Sequence, residues 1–559
     1  MVSVLSTNIT SPLGFTTEQN YQAVLSGRSA LKCYEGLWGL QEPFAASLFS
    51  EEQNAALAIS GYTRLESLAI RSAQEALSHT ELNVTSERIV LILSTTKADI
   101  GRSPSEAAGA IAKALGLTRE PIVVCNACVS GVSAQLLADS LLSAGLYDYA
   151  IVVGAEVQSR FIVSGFQSLK AVSDAPCRPF DIERNGLNLG EAAATIVFSR
   201  NGDGVWHLVD GAARNDAYHI VSPSPVGDGL TAAIEAVMQG QDKTRLATVC
   251  VHGTATLYND QMESKAIQRA GLSDVPLSAL KGYYGHTMGA AGVLETILTM
   301  RATDDGIVLP SKGFTELGVS EKVCISKTQQ PVSVGEKRCF LKLISGFGGC
   351  NVAALYARGT MDYGLRTMDD RLWTMDCGLW TKTHTVRLSS GDGKSLNEIY
   401  REQIGNYPKF HKMDILSRLV FVATELLMKG EKVKESKSED FSIFQFFSFS
   451  IILFNHSSSI VSDRQYLSTI SDADNFFPSP SVFVYTLPNI AAGEIAIRHH
   501  CTDETSFYIL QEKNDALMQQ ILDASLRASN VQSVISGWID AESETSYECE
   551  LSLYMRFAK

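Results

Sequence analysis

Pro121-Ile-Val-Val-Cys125-Asn-Ala-Cys128-Val-Ser-Gly131 runs into Val132-Ser-Ala-Gln-Leu-Leu-Ala-Asp-Ser-Leu-Leu-Ser-Ala-Gly145, and this stretch decides the fold. Ile122 to Val124 read as the end of a buried strand. Val132, Leu136, Leu137 and Leu141 recur at helical spacing, so Cys128 falls on a strand-to-helix turn. Amides at a helix start lack partners within the helix and the dipole is positive there, which favours a thiolate. Ala127, Ser130 and Gly131 are small enough to admit a substrate. Against a nucleophile stands the common use of free cysteine as a small core residue.

Cys125 and Cys128 also form a C-x-x-C, the spacing of redox sites and of half a zinc site. A structural zinc site takes about four ligands, and no second close pair completes one. No metal is therefore expected. Cys125 ends an apolar run, where a buried strand residue is the simpler account.

Outward from this turn, strand-like and helix-like segments alternate: a strand over Ile89 to Leu93, a helix over Ser105 to Leu115, and a buried strand over Tyr149 to Ala155. The pattern is that of a layered α/β fold. A second α/β half comes after it. Leu246 to Val251 is a strand ending at His252-Gly-Thr254; Leu280-Lys281-Gly-Tyr-Tyr-Gly-His286 leads into a helix carrying Glu295; Phe340 to Ile344 is a strand running into the glycine loop Ser345-Gly346-Phe347-Gly348-Gly-Cys-Asn351. Both histidines stand where a strand gives way to a small-residue loop, a place where ligand-facing groups concentrate. A thiol, two imidazoles and a glycine-rich loop together suit acyl transfer.

Composition narrows the rest. At 559 residues the chain exceeds one ordinary domain, and 45% hydrophobic residues can bury a large core. A net charge of -14 argues against nucleic acid or an anionic membrane as main partner. Eleven scattered cysteines read as reduced thiols of a cytoplasmic protein. The most hydrophobic stretch, Phe441 to Phe454, is too short to span a bilayer.

The motifs Ala127-Cys128-Val-Ser-Gly131, Arg178-Pro-Phe-Asp181, His252-Gly-Thr-Ala-Thr with Asp260 and Glu263, Lys281-Gly-Tyr-Tyr-Gly-His286 and Gly346-Phe-Gly-Gly349 stand in one order over about residues 1 to 357. In this the sequence resembles the β-ketoacyl-acyl-carrier-protein synthases of the thiolase fold. The resemblance implies a layered αβαβα fold of two similar halves, 1–204 with the nucleophile and 205–357 with the histidines. It implies that Cys128 takes an acyl chain from a carrier-protein thioester, and that His252 and His286 stabilise the enolate formed when malonyl loses CO2. Condensation then extends the chain by two carbons in fatty acid, polyketide or polyene biosynthesis. Lys281 with Glu295 resembles the family's charged pair near the histidines. Phe347 resembles its gate, and the amides of Cys128 and Phe347 its second oxyanion site. No cofactor is implied beyond the phosphopantetheine that carries the substrates. The implied partners are acyl carrier protein, acyl and malonyl thioesters, and a second subunit in a homodimer or a heterodimer with a ketosynthase-like chain. Leu189-Gly190-Glu191-Ala-Ala193 lacks a glycine common in the family, and Thr95-Thr-Lys97-Ala-Asp99 resembles ketosynthases of polyene pigment clusters. A non-catalytic acyl- or carrier-binding partner is the alternative, disfavoured because such partners usually lose the cysteine. A thiol-disulfide oxidoreductase is a more distant one.

Beyond Arg358 the composition changes. Three tandem heptads beginning at Thr360, Thr367 and Thr374 read as a linker over 358–380. The remainder, 381–559, carries a faint copy of the first half: Ala491-Ala-Gly-Glu-Ile-Ala496 echoes Ala107-Ala-Gly-Ala-Ile-Ala112, and Lys513 falls opposite Cys128. The tail therefore resembles a degenerate ketosynthase half of chain-length-factor type, a partial α/β domain expected to pack on another sheet.

Overall fold

Three sets of five strands succeed one another along the chain, each laid out in the same spatial order. The first comprises β1 (Ser3–Thr10), β2 (Ile89–Ser94), β3 (Ile122–Val124), β4 (Tyr149–Glu156) and β5 (Ala192–Ser199). The second comprises β6 (Trp206–Asn215), β7 (Leu246–Cys250), β8 (Leu277–Ser278), β9 (Cys339–Gly346) and β10 (Cys350–Arg358). The third comprises β11 (Trp380–Ser389), β12 (Phe449–Asn455), β13 (Thr505–Ile509), β14 (Ser533–Ser543) and β15 (Ser546–Arg556). This computed structural model describes residues 2–332, 339–359, 380–435, 449–472, 476–526 and 531–556.

In each set the order is third, second, fourth, fifth, first. The second strand runs parallel to the third and fourth, and the fifth is antiparallel to its neighbours. The parallel strands β2, β4 and β7 are buried along nearly their whole length, which explains why they read as unbroken Val, Ile and Leu runs. The sets join edge to edge: Ser3 and Val4 of β1 pair with His207 and Trp206, and Val124 and Val123 of β3 pair antiparallel with Tyr508 and Ile509 of β13. The layered α/β fold in two similar halves, with a further partial unit of the same design at the C-terminal end, is the one expected from the sequence.

Five helices position the site and its counterpart in the tail: α1 (Pro104–Ala114), α2 (Ser130–Ser143), α3 (Ala291–Asp304), α4 (Ile490–His499) and α5 (Asp515–Leu526). α1 precedes β3 and α2 comes after it; α4 and α5 bracket β13 in the same way. Lys513 lies in the turn between β13 and α5, as Cys128 lies between β3 and α2. It is ion-paired to Glu550 at 2.9 Å. Gly131 and Gly292 allow the starts of α2 and α3 to cross in contact: a Cβ on Gly131 would lie 2.8 Å from the Gly289 carbonyl, and one on Gly292 would lie 2.6 Å from the Val132 nitrogen. The small residue at 131 thus makes room for a helix, not for a substrate as the sequence suggests.

Arg358 ends β10 and Trp380 opens β11, so both end residues of the expected linker belong to strands. The heptads between them and the first part of the Phe441–Phe454 stretch lie outside the described residues. The apolar cores on both faces of the sheet run across the β3–β13 seam: one joins Leu91 and Val123 to Leu453 and Phe507, the other Ile92 and Val124 to Phe454 and Tyr508. The edge of β3 is therefore filled from within the chain, by the tail that was expected to pack on another sheet. Among the described residues no helix is long and apolar enough to cross a membrane.

Candidate active site

Cys128 sits in the short 3-10 turn Ala127–Val129. Ala127 takes a left-handed conformation, φ 48°, strained for a residue with a side chain. The Ser130 hydroxyl holds the turn, accepting from the Asn126 N–H at 2.8 Å and donating to the Ala127 carbonyl at 2.6 Å. Asn126 Oδ1 in turn accepts the Phe507 N–H at 2.7 Å, so a tail strand supports the turn.

His252 leaves the end of β7. Its N–H and that of Gly253 donate to the Glu263 carboxylate at 2.5 and 2.8 Å, while Asp260 accepts from Thr254 and Ala255. Burial pushes Glu263 up to about 7. His286 is fixed through its N–H to the Asn188 carbonyl at 2.6 Å. Its Nδ1 accepts the Met288 N–H at 3.2 Å, which places its proton on Nε2, a buried nitrogen with no hydrogen-bond partner among the described residues. The two rings meet edge to face with centroids 5.1 Å apart. The Cys128 sulfur and one nitrogen from each imidazole lie within 4.8 Å of one another.

Burial, reinforced by Lys281 and Lys342, holds both histidines well below their ordinary value of 6.5, so both are neutral. Burial pushes the Cys128 thiol up to about 12, against the opposing pull of Lys281 and its own N–H. The thiolate expected from the helix start is thus outweighed by desolvation. Cys125 is fully buried, is likewise pushed to about 12, and donates its thiol to the Thr96 carbonyl at 3.4 Å. It is a core residue.

Lys281 is no surface lysine: its ammonium is buried and donates to the His252 carbonyl at 2.6 Å and to Glu295 at 2.8 Å. The other Glu295 oxygen accepts from Lys342 at 2.6 Å. Burial works against the charge on Glu295, and the two lysines hold its carboxyl below the usual carboxylate range. The sequence reading missed Lys342, although a lysine inside the apolar run Phe340 to Ile344 was the signal.

Phe347 and Cys128 line two cavities at once. One, of about 330 Å³, is also lined by His252, His286, Thr254 and Thr256. The other, of about 20 Å³, lies behind Phe347 against Phe161, Phe166, Phe483 and Leu487. A Cβ on Gly346 would lie 3.3 Å from the Cys128 nitrogen, so the glycine loop passes against the Cys128 turn. Gly348, at φ 87°, abuts Asn489, whose Nδ2 donates to the Phe347 carbonyl at 2.9 Å. Nothing in the sequence marks Asn489 or Phe483.

Residues 32–203 match the β-ketoacyl synthase N-terminal domain and residues 207–315 its C-terminal domain. The chain belongs to the β-ketoacyl synthase family. It is 28% identical over 413 residues to the 3-oxoacyl-(acyl-carrier-protein) synthase 2 of Vibrio cholerae, covering 64% of this chain and 99% of that one. Against the putative mitochondrial 3-oxoacyl-(acyl-carrier-protein) synthase of Schizosaccharomyces pombe it is 28% identical over 275 residues, covering 45% of this chain and spanning 64% of that relative's length. Among solved structures, the PfaC keto synthase-chain length factor superposes with a TM-score of 0.76 at 14% identity, over 99% of this chain and 78% of that one. That likeness is one of fold and extends through the tail.

Proposed function

We propose that this chain is a β-ketoacyl-acyl-carrier-protein synthase that condenses an acyl thioester with malonyl-acyl carrier protein, releasing CO2. The observation that carries the reading is the convergence of the Cys128 sulfur and the two imidazoles within 4.8 Å on the wall of the larger cavity. Thr254 and Thr256 line that cavity too, and their hydroxyls would face a phosphopantetheine arm seated in it. Cys128, its proton passed to a neutral imidazole, attacks the acyl carbonyl and expels the carrier thiol, which takes the proton. The acyl group then points behind Phe347, into the small space that Phe483 closes and that the side chains around it must widen to admit a chain. Malonyl thioester next enters the larger cavity; its carboxyl leaves as CO2, and the electron pair of the broken C–C bond forms an enolate. His286 Nε2–H and the neutral His252 donate to the enolate oxygen, each worth about 2.7 to 4 kcal/mol in a dry site. The enolate carbon attacks the acyl-Cys128 carbonyl, whose oxyanion the amides of Cys128 and Phe347 receive, and the Cys128 thiolate leaves.

On this reading residues 1–204 and 205–357 form the catalytic pair of halves, and the tail from Thr381 is a half without a nucleophile. It occupies the place of a partner subunit and bounds the acyl pocket with Phe483. The full-length likeness to a keto synthase-chain length factor supports this. A non-catalytic binding role is the weaker reading, because all three reactive groups are kept. Mass spectrometry of products from a panel of acyl carrier proteins with malonyl carrier protein tests the proposal. A product longer by two carbons supports it, and unchanged acyl groups across the panel refute it.

A further inference from the structure

Lys342 lies in mid-strand in β9 between two leucines, and its side chain is fully buried. Its ammonium faces four oxygens: Glu295 Oε2 at 2.6 Å and the carbonyls of Leu343 at 2.9 Å, Val251 at 3.4 Å and Cys250 at 3.5 Å. Cys250 ends β7, and Val251 directly precedes His252. Glu295 stands on α3 and shares its other oxygen with Lys281, which donates to the His252 carbonyl. One positive charge therefore ties β7, β9 and α3 together a single residue from His252.

A buried charge persists only where oxygens replace its water. Here three main-chain carbonyls and a carboxylate do so as hydrogen-bond acceptors at 2.6 to 3.5 Å, a set matched to an ammonium and too wide for sodium. We propose that Lys342 is a positioning residue for His252 and acts as a tethered monovalent cation, filling an oxygen cage that would take up free ammonium once the side chain is removed.

The consequence for catalysis rests on the function proposed above. The cage itself does not. In Lys342→Ala the carbonyls and Glu295 lose their common partner and the His252 loop is released. Malonyl decarboxylation should fall by about 10²-fold, the scale of a misplacement of about 1 Å. Acylation of Cys128 should stay within a few fold. Ammonium chloride should restore rate and melting temperature with a saturable dependence, sodium chloride at equal ionic strength should not, and the wild type should distinguish the two salts in neither respect. Lys342→Met, which fills the space without charge, should be impaired and unresponsive. Should Lys342→Ala fail to accumulate as folded protein, its recovery in ammonium against sodium buffer is the readout. Recovery in ammonium alone supports the cage; equal recovery or equal failure in both overturns it. A folded Lys342→Ala with wild-type rate, or one whose melting temperature and rate ignore ammonium, overturns it too. The melting temperature decides the cage even if the wild type proves inactive, an outcome that would sink only the proposed function.

Discussion

The side-chain amide of Asn489 donates a hydrogen bond to the carbonyl of Phe347 at 2.9 Å, so a residue of the last third of the chain holds the loop that faces Cys128. The approach is close along its length: a Cβ on Gly493, one turn further into α4, would come within 2.9 Å of Gly348. The glycines let a helix start and a loop meet main chain to main chain. Asn489→Ala should cost about 1 kcal/mol of stability, the usual net worth of one such bond. It should also loosen the Phe347 loop and blur discrimination between acyl chains. Competition between short and long acyl carrier proteins checks this; unchanged selectivity would mean that the tail does not act on acyl selection through the Phe347 loop.

The space behind Phe347, about 20 Å³, holds little more than one water. Phe483 closes it: a Cβ on Gly165 would lie 2.1 Å from its ring, and its ring is 5.4 Å from that of Phe166. Phe483→Ala should lengthen the acyl chains accepted at Cys128, at a stability cost of about 3–5 kcal/mol. Phe483→Leu should do the same to a smaller degree with less loss. Acyl-enzyme yield against chain length, read by intact mass, is the measurement.

Lys97 and Asp463 form a buried ion pair at 2.5 Å across the seam between the first half and the tail, with Ser459 also accepting from the lysine at 2.9 Å. Removing one partner leaves a buried charge alone, so Lys97→Met or Asp463→Leu alone should each cost about 3–5 kcal/mol. The double substitution should recover much of that. Denaturant unfolding of the four proteins gives the coupling; additive losses would mean the pair contributes nothing as a pair.

The pH dependence arises from groups shifted in opposite senses. His252 and His286 stay neutral in the folded state well below 6.5, so the unfolded chain gains their protons first and stability falls as pH drops through 6.5. Burial raises Glu156 and Glu263 to about 7 from 4.5, so the folded chain holds extra protons between these values and stability grows as pH falls through that window. The two pairs offset each other, and the melting temperature should change little between pH 5 and 6.5. Glu425 and Glu550 are held at about 2, chiefly by arginine, histidine and lysine partners set against burial; their stabilisation is present above 4.5 and lost toward 2. Stability should therefore drop below 4.5. Decarboxylation should persist below pH 6.5, and an acid limb centred at 6.5 would contradict neutral imidazoles.

Strand and helix periodicity made the Cys128 turn, the two α/β halves and the order of the motifs legible, because each is a local pattern. Lys281 and Glu295 were legible through the resemblance. Lys342 was not, since its surroundings, the carbonyls of Cys250, Val251 and Leu343 and the Glu295 carboxylate, are brought together in space by β7, β9 and α3. In the tail the sequence showed a faint copy of α1, β3 and α2 in α4, β13 and α5; its first strand, β11, which pairs with β15, and its contacts through Asn489 and Phe483, which follow from the β3–β13 seam, are recorded by no local pattern. The protonation of Cys128 was misread because burial, a tertiary quantity, exceeds the effect of the helix start.

The most direct test of the account is where the acyl group sits and what the histidines do afterwards. Acyl carrier protein is incubated with the wild type, Cys128→Ala, Cys125→Ala, His252→Ala and His286→Ala, the labelled peptide is mapped by mass spectrometry, and CO2 release from malonyl carrier protein is tracked in parallel. The account predicts acylation at Cys128 in every protein that keeps it, including both histidine variants, with CO2 release abolished in those two. An acyl group on Cys125, or histidine variants that release CO2 yet fail to acylate, would contradict it.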